Sequence, residues 1–250
     1  MHRTATAFSR AADAYERARP GYPDEAVRWL ATHCGAVSGA RVLDLAAGTG
    51  KLTRALVALG ASVVAVEPVE GMRSSLARTP GGAPVVAGVA QAVPLGTNAV
   101  DVVTVAQAFH WFASGPAVRE VHRVLRPGGA LAVLWNRRDL DDPFQRTLQR
   151  LMAPWRGQAP THESGEWRRV VEGSAGGRLF VANGRFEVAW RQSLDVEGVV
   201  ARVASVSFVA AMDDTARAGL LGEVRDAAVA VRGPIALPYV TEVFAYRRTP

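Results

Sequence analysis

A short turn at 46–50 is the part of this sequence best suited to bind a ligand. It joins an apolar run at 41–45 to a helical pattern at 51–59, and it contains Gly48 and Gly50. Glycines let a ligand lie against the backbone, and the first N–H groups of a helix can hold a carboxylate or a phosphate. The turn therefore predicts a site for a small ligand with an anionic end.

Two acids make this prediction more specific. Asp44 lies near the end of the first apolar run, and Glu67 closes the second run, 23 residues later. A carboxylate at Glu67 can accept hydrogen bonds from both hydroxyls of a ribose. A nicotinamide dinucleotide would use the same acid, but its G-x-G-x-x-G fingerprint requires a third glycine where this sequence has Thr53. Asp44 also suits an ammonium group better than a pyrophosphate, so a dinucleotide site is disfavoured.

The elements that position these residues form an alternating pattern of short apolar runs and helical segments. Such short, apolar strands are expected where helices cover both faces of a mostly parallel sheet, and ligands then bind beyond the carboxyl ends of the strands. The predicted strands are 41–45, 62–66, 84–87, 100–105, 130–135, 186–194 and 237–247; the predicted helices are 51–59, 69–78, 115–125 and 144–152, with helical material over 196–231.

The same pattern predicts a single domain over 1–250. Its expected parts are an N-terminal helical cap at 1–39, a ligand-binding core at 40–135, a lid insertion at 136–185, and C-terminal strands and helices at 186–250. The insertion is predicted because prolines and glycines interrupt the alternation there.

Composition limits the partners. Lysine and arginine number 29 against 23 acids, but Lys51 is the only lysine and the arginines are scattered, which disfavours a nucleic-acid partner. Cys34 is the single cysteine, so no structural zinc site or internal disulfide is expected, and no metal is predicted. The sequence shows neither a run long enough to span a bilayer nor a signal peptide, so a cytoplasmic protein with no membrane partner is expected.

Several segments together resemble the class I S-adenosylmethionine-dependent methyltransferases. The stretch 44–50 resembles their first motif, and Glu67 with Pro68 resembles their ribose-binding strand end. Similar agreement extends over 87–95, 106–112, 120–129 and the closing strand at 237–247. The segments 15–23 and 109–111 most resemble small-molecule methyltransferases of the trans-aconitate and ubiquinone or menaquinone biosynthesis type. The resemblance implies an α/β, Rossmann-like doubly wound, seven-stranded sheet, mostly parallel with an antiparallel last strand.

The resemblance also implies S-adenosyl-L-methionine as cofactor and S-adenosyl-L-homocysteine as product. Glu67 would hold the ribose, 48–50 the methionine end, and Asp44 either its amino group or the turn geometry, while Met72 and Ala90 would cover the adenine. The implied cofactor-binding residues are Tyr15, Arg19, Asp44, Ala46, Ala47, Gly48, Thr49, Gly50, Glu67, Pro68, Met72, Val89, Ala90, Gln91, Ala106 and Gln107.

Three of these positions depart from the family pattern. Ala46 stands where the family often has its first glycine, so the backbone beside the methionine end is expected to be less accommodating. Val89 stands where an aspartate often accepts the adenine amino group, and Gln91 replaces a frequent glutamate. Adenine must then find another acceptor, such as the Gln91 amide or a backbone carbonyl.

The sulfonium activates its own methyl group, so the protein mainly has to align a nucleophile and exclude water. His110 is the predicted catalytic base, with a positioning or packing role as the alternative. The predicted substrate-binding residues are Tyr22, Trp111, Phe112 and Arg137.

The expected function is methyl transfer to a small-molecule acceptor by direct in-line displacement. The alternatives are a relative that binds the cofactor without methylating, and an RNA or protein methyltransferase. The acceptor atom stays open between oxygen, nitrogen and carbon, and the oligomeric state between monomer and homodimer.

Overall fold

The computed structural model describes residue 16 and residues 18–157, 160–173 and 176–250. The helices are α1 (Asp24–Cys34), α2 (Lys51–Ala58), α3 (Glu70–Arg78), α4 (Gly115–Val124), α5 (Pro143–Met152), α6 (Glu166–Glu172), α7 (Val196–Ala204), α8 (Ser207–Ala210) and α9 (Asp214–Val229). The strands are β1 (Arg41–Leu45), β2 (Ser62–Val66), β3 (Val85–Val86), β4 (Val100–Ala106), β5 (Leu125–Arg138), β6 (Phe180–Leu194) and β7 (Ile235–Arg248).

The seven strands form one sheet in the order β3-β2-β1-β4-β5-β7-β6. The pairs β1–β2, β1–β4, β2–β3 and β4–β5 are parallel. Strand β7 runs antiparallel to β5, since the amide of Asp139 donates to Pro238 while Arg247 donates to the carbonyl of Gly128. The predicted fold class, a mostly parallel seven-stranded sheet with an antiparallel last strand, is confirmed.

The strands of the first half were predictable because each is a buried apolar run with helices on both faces. One core cluster includes Leu43, Val103 and Leu131 together with residues of α4 and α6. A second cluster includes Val42 and Val102 together with residues of α1 and α2. Alternate residues of the strands thus point into opposite layers, as period-two side-chain geometry requires.

Strands β5 and β6 begin five and six residues before their predicted starts. In β5, Leu125 pairs with Val100 and Ala130 pairs with Val102, so the predicted turn 126–129 forms an irregularity inside the strand instead of preceding it. A bulge of this kind leaves extra residues unpaired without ending the ladder. Strand β6 begins at Phe180, six residues before its predicted start at Phe186, because pairing with β7 at the sheet edge holds a polar Asn-Gly segment that carries no apolar pattern.

The chain divides into two compact units. One contains the described residues up to 20 together with 136–159 and 189–240, and the other contains 21–135, 160–188 and 241–250. The first has its own apolar core, built from α5, α7, α9 and the start of β7. Within the described residues, no helix combines the length and apolar character needed to cross a membrane.

Candidate active site

The turn after β1 is fixed to the end of β2 by backbone hydrogen bonds. The amides of Ala46 and Ala47 donate to the carbonyl of Val66, at 2.7 and 3.2 Å. Ala46 has a φ of +58°, a conformation that favours glycine and strains an L-residue by about 1–2 kcal/mol. The geometry thus explains why a glycine is common at this position in the family that the sequence resembles.

The two glycines of the turn have different surroundings. Gly48 has a φ of +60°, and a Cβ added to it would meet no atom of the described part of the chain within 4 Å. Gly50 has a φ of +85°, and a Cβ there would lie 2.8 Å from Cγ of the buried Leu76. Gly50 therefore lies against the protein interior, whereas open space beside the backbone at Gly48 is available to a ligand.

Asp44, near the end of β1, is fully buried and stabilises the turn through hydrogen bonds to its side chain. Its carboxylate accepts hydrogen bonds from the hydroxyls of Thr53, at 2.6 Å, and Thr104, at 3.0 Å. Burial raises the pKa of Asp44 to about 6, although these hydrogen bonds oppose the rise. Thr53, the residue that breaks the dinucleotide fingerprint, thus has a structural role, as does Thr104, which pairs with Asp44 across β1 and β4.

We expect Asp44→Asn to change how stability depends on pH. Between about pH 4 and about pH 6 the unfolded chain has released the Asp44 proton while the folded protein retains it, so rising pH favours unfolding. The pKa rise from 3.8 to about 6 corresponds to about 3 kcal/mol. Urea unfolding across this range should therefore show the wild type losing up to about 3 kcal/mol relative to the asparagine variant.

Asp101→Asn provides a control of opposite sign. Burial raises the pKa of Asp101, but hydrogen bonds from Arg41 and the charge of Arg126 outweigh it and leave the pKa below its ordinary value. Its ionised form therefore stabilises the fold above the unfolded pKa, and this contribution disappears as the pH falls through the folded pKa. Parallel pH profiles of wild type and Asp44→Asn would contradict the assignment of a raised pKa to Asp44.

Glu67, directly after β2, is 5% exposed and faces the turn. Its Oε2 accepts from the amide of Gly48 at 3.0 Å, and its Oε1 accepts from the amide of Val69 at 2.8 Å. Burial raises the pKa of Glu67, while these hydrogen bonds and the charge of Arg73 lower it in part. Since each carboxylate oxygen has a second lone pair, both can still accept from a ligand hydroxyl.

Two arginines that were not predicted as site residues stabilise the backbone of the candidate site. The Arg73 guanidinium donates to the carbonyls of Glu67 and Pro68, and the Arg54 guanidinium donates to the carbonyl of Thr49. Pro68 is half-buried, and Met72, one turn into α3, is buried. The available signal was the position of each arginine, which lies on the following helix five or six residues beyond its carbonyl partner.

The segment 89–91 presents a different surface from the one the family pattern implies. Val89 is 42% exposed and Gln91 is also exposed, whereas Ala90 is buried. The segment beyond it is held by α4, because Glu120 accepts from the amide of Val93. Gln91 provides the polar side chain of the segment 89–91, and its exposed amide is accessible to a ligand.

Beyond β4 the chain turns sharply into an aromatic segment. Ala106 is half-buried, and Gln107 has a φ of +60° while its amide donates to the carbonyl of Leu134. A 3-10 turn then spans Phe109–Trp111. Trp111 and Phe112 are half-buried, and Phe112 contacts Phe109 edge to face with ring centroids 5.4 Å apart.

The hydrogen bond to His110 determines which ring nitrogen can act. The indole N–H of Trp135 donates to Nδ1 of His110 at 3.3 Å. Because an indole N–H is only a donor, Nδ1 must carry the lone pair, and the neutral ring then carries its proton on Nε2. This tautomer offers a hydrogen-bond donor at Nε2. The ring of His162 stacks on the Trp135 indole, with centroids 5.4 Å apart, and its centroid lies 6.3 Å from that of His110.

The remaining predicted residues are placed as follows. Tyr22 is half-buried and packs against the core cluster that contains α1. Arg19 and Arg137 belong to the unit with its own helical core, and Arg19 donates to the carbonyl of Ser205 at 2.8 Å. Tyr15 lies outside the described residues.

The arrangement suits a ligand with a ribose and a charged amino-acid end. A buried carboxylate lies at the end of β2, open space lies beside Gly48, and the N-cap of α2 is Gly50, which provides no side-chain hydrogen bond. Among the residues with described coordinates, no three His, Cys, Asp or Glu side chains are grouped to hold a metal ion.

Comparison with known proteins gives concordant results. A family described as "Methyltransferase domain" matches residues 43–133. An uncharacterized methyltransferase of Mycobacterium tuberculosis is 38% identical over 239 residues, which is 94% of this chain and 92% of that protein. A malonyl-[acyl-carrier protein] O-methyltransferase of Methylococcus capsulatus is 43% identical over 99 residues, 37% of this chain and 36% of its own length.

A solved structure also resembles the chain. It is described as a candidate type II methyltransferase of Anaeromyxobacter dehalogenans, and it matches with a TM-score of 0.65 at 24% identity, covering 93% of this chain and 99% of that one. At this identity the likeness shows the fold alone.

Proposed function

Because the chain belongs to the class I S-adenosylmethionine-dependent methyltransferase family, we propose that it transfers a methyl group from S-adenosyl-L-methionine to a small-molecule acceptor by direct in-line displacement. The observation that carries the proposal is the pairing of Glu67 with the amide of Gly48 beside an open stretch of backbone. Glu67 would then offer a ribose acceptor directly beside the backbone that the methionine end approaches.

Each part of the cofactor has a residue at the candidate site that suits it. Glu67 would accept from the ribose hydroxyls, Gly48 would let the methionine end lie against the backbone, and Gln91 would face the adenine. When bound, S-adenosyl-L-methionine supplies a methyl group on a positively charged sulfur that leaves as a neutral thioether. Asp44 is fully buried, so of its two expected roles the geometry favours holding the turn through Thr53 and Thr104.

His110 would act as a positioning donor. With Nδ1 occupied by the Trp135 indole, its Nε2–H can orient an acceptor oxygen or nitrogen, whereas a general base needs a lone pair at the reacting position. The half-buried Trp111 and Phe112 would exclude water from the reacting atoms.

Two observations that do not involve the cofactor site support a small-molecule acceptor. The relative from Methylococcus capsulatus is named for an O-methyl transfer to a malonyl group, a small carboxylic acid carried on a protein. The arginines of this chain are scattered along the sequence, without the aromatic interleaving that single-stranded RNA binding uses. We further propose that the protein is cytoplasmic and is a monomer or a homodimer, which size-exclusion chromatography with light scattering would test.

The proposal is tested by following a tritiated methyl group. Purified protein and labelled S-adenosyl-L-methionine are incubated separately with a deproteinised small-molecule extract, total RNA and a protein lysate. We expect label to accumulate in the small-molecule pool. Label confined to RNA or protein would assign the chain to a macromolecular methyltransferase. Binding of S-adenosyl-L-homocysteine without transfer to any pool would assign it to a non-methylating relative.

The same assay tests the role of His110. Glutamine retains a side-chain N–H, so a donor role predicts that His110→Gln keeps kcat within about tenfold of wild type with an unchanged pH profile. A general base predicts instead a loss of about 10²–10⁴-fold, and that result would overturn the donor assignment.

A further inference from the structure

The indole of Trp135 is packed inside an aromatic cluster. Trp135, in β5, is 1% exposed, and its ring centroid lies 4.5 Å from that of Trp167 and 6.1 Å from that of Phe244. All three side chains belong to one buried core cluster, and they lie in the compact unit that contains Asp44 and Glu67. Because a close-packed interior leaves a ring of this size little freedom, the direction of its N–H bond is fixed.

A histidine from the segment that was predicted as a lid insertion contacts this indole. The ring of His162 stacks on Trp135 almost in parallel, at an interplanar angle of 10°. Its Nδ1 lies 3.3 Å from a carboxylate oxygen of Glu163, and its main-chain carbonyl accepts from the indole N–H of Trp167 at 3.1 Å. Side-chain and main-chain contacts thus hold His162 against the indole.

The pairing of β4 with β5 brings the indole N–H to His110. Trp135 lies one position beyond Leu134, which pairs with Ala106, and His110 follows four residues after Ala106. The indole N–H donates to Nδ1 of His110 over 3.3 Å. A hydrogen bond from a fixed donor restrains the orientation of the imidazole ring as well as its tautomer.

The placement of His110 matters because alignment is the main contribution that a protein makes to methyl transfer from an activated sulfonium. A misplacement of about 1 Å can lower a rate about 100-fold. An imidazole that rotates about its side-chain bonds would hold an acceptor in line in only a fraction of the molecules. A contact that fixes the ring of His110 therefore increases the rate without touching the reacting atoms.

We propose that Trp135 and His162 are positioning residues for the methyl transfer. Trp135 orients His110 through its indole N–H, and His162 holds the indole in the orientation that this hydrogen bond requires. The proposal rests on the proposed function, in which His110 orients the methyl acceptor. Both residues act through His110.

A double-mutant cycle tests whether Trp135 acts through His110. Trp135→Phe keeps an aromatic ring and removes the N–H. We expect it to lower kcat about fivefold or more in the wild-type background and less than about twofold in the His110→Ala background, where no imidazole is left to orient. A loss of kcat that is equal in the two backgrounds would overturn the proposal.

Trp29→Phe is the matched control. Trp29 also stacks on a histidine, His33, with ring centroids 4.2 Å apart, but it packs against the core cluster that contains α1 and α2. We expect this variant to keep kcat within about twofold of wild type, since it has no contact with His110 through which to act. A loss equal to that of Trp135→Phe would assign the effect to general destabilisation and overturn the proposal.

The role of His162 is tested by conservative rescue. Stacking requires only an aromatic ring, so His162→Phe should keep kcat within about twofold, whereas His162→Ala should lower it about fivefold. Equal losses in the two variants would overturn the stacking role. The side chain of His162 is 15% exposed, so its variants carry the test if Trp135→Phe does not fold, as judged by thermal unfolding and affinity for S-adenosyl-L-homocysteine.

NMR of isotope-labelled ring nitrogens provides a readout without turnover. In wild type saturated with S-adenosyl-L-homocysteine, Nδ1 of His110 should be unprotonated and Nε2 protonated, with the signals assigned by their absence in His110→Ala. Trp135→Phe should shift the Nδ1 resonance. A protonated Nδ1 in wild type, or an unchanged resonance in Trp135→Phe, would overturn the proposal. Failure of wild type to transfer methyl to any pool, with both NMR results as expected, would instead overturn the proposed function.

Discussion

Glu67→Ala is expected to weaken the binding of S-adenosyl-L-homocysteine by about 100-fold or more. Each hydrogen bond to a charged group contributes about 1.5–3 kcal/mol, and the Glu67 carboxylate can accept from both ribose hydroxyls. Two such bonds correspond to at least about 3 kcal/mol, or about two orders of magnitude in affinity. Calorimetric titration of wild type and variant measures the loss directly.

Glu70→Ala is the matched control for charge. Glu70 is exposed in the first turn of α3, three residues beyond Glu67, so its removal changes the local charge equally without touching the turn. We expect it to bind S-adenosyl-L-homocysteine within about twofold of wild type, because exposed charges interact weakly through water. Equal affinities of Glu67→Ala and wild type would contradict the ribose assignment.

A second comparison separates direct contact from an effect on the turn. Glu67 also accepts from the amides of Gly48 and Val69, so its loss could loosen the backbone as well as remove a ligand contact. A 2′-deoxy analogue of S-adenosyl-L-homocysteine lacks one hydroxyl. If Glu67 binds the ribose, the analogue should bind the wild type more weakly than the parent compound does, and the difference should shrink in Glu67→Ala.

Affinity should also depend on pH in a defined direction. Hydroxyl donors favour the ionised carboxylate, and burial raises the pKa of Glu67 above its ordinary value. Binding should therefore weaken as the pH falls through this raised pKa, and the weakening should be absent in Glu67→Ala.

The elements that form the candidate cofactor site were predictable from the sequence because their determinants are local. Strands β1 and β2 occupy the predicted ranges, and their carboxyl ends carry Asp44 and Glu67 because parallel strands present those ends at one edge of the sheet. Apolar runs of five residues bounded by small or charged residues gave sufficient signal.

The supporting contacts were not predictable, because they join distant parts of the chain. The Asp44 carboxylate is bound by Thr104, 60 residues away, and Arg202 meets Tyr239 across 37 residues. Sequence patterns reveal contacts between residues a few positions apart, and they cannot reveal contacts over such long separations. The tautomer of His110 likewise depends on Trp135, whose position follows from the pairing of β4 with β5.

Alanine substitutions at the two glycines of the turn should separate ligand binding from folding. Gly48→Ala places a methyl group in open space, so the free energy of unfolding should fall only by the strain of a positive φ, about 1–2 kcal/mol. Gly50→Ala adds a contact 2.8 Å from Cγ of Leu76, which is fully buried and cannot move aside. Overpacking adds about 1–3 kcal/mol to the same strain, so Gly50→Ala should be the more destabilised variant in urea unfolding.

The affinity for the cofactor should change in the opposite order to stability: Gly48→Ala should weaken binding more than Gly50→Ala does. If S-adenosyl-L-homocysteine lies against Gly48, the added methyl group occupies its volume, and affinity should fall by about 100-fold or more because a rigid backbone cannot withdraw. Gly39→Ala is the control: Gly39 has a φ of +80° with no atom within 4 Å of an added Cβ, so it carries the same strain outside the turn. Loss of affinity in Gly48→Ala at a stability equal to that of Gly39→Ala would locate the ligand beside Gly48. Retained affinity in Gly48→Ala would show that the ligand approaches the turn elsewhere, since no atom of the described residues lies within 4 Å of the added Cβ.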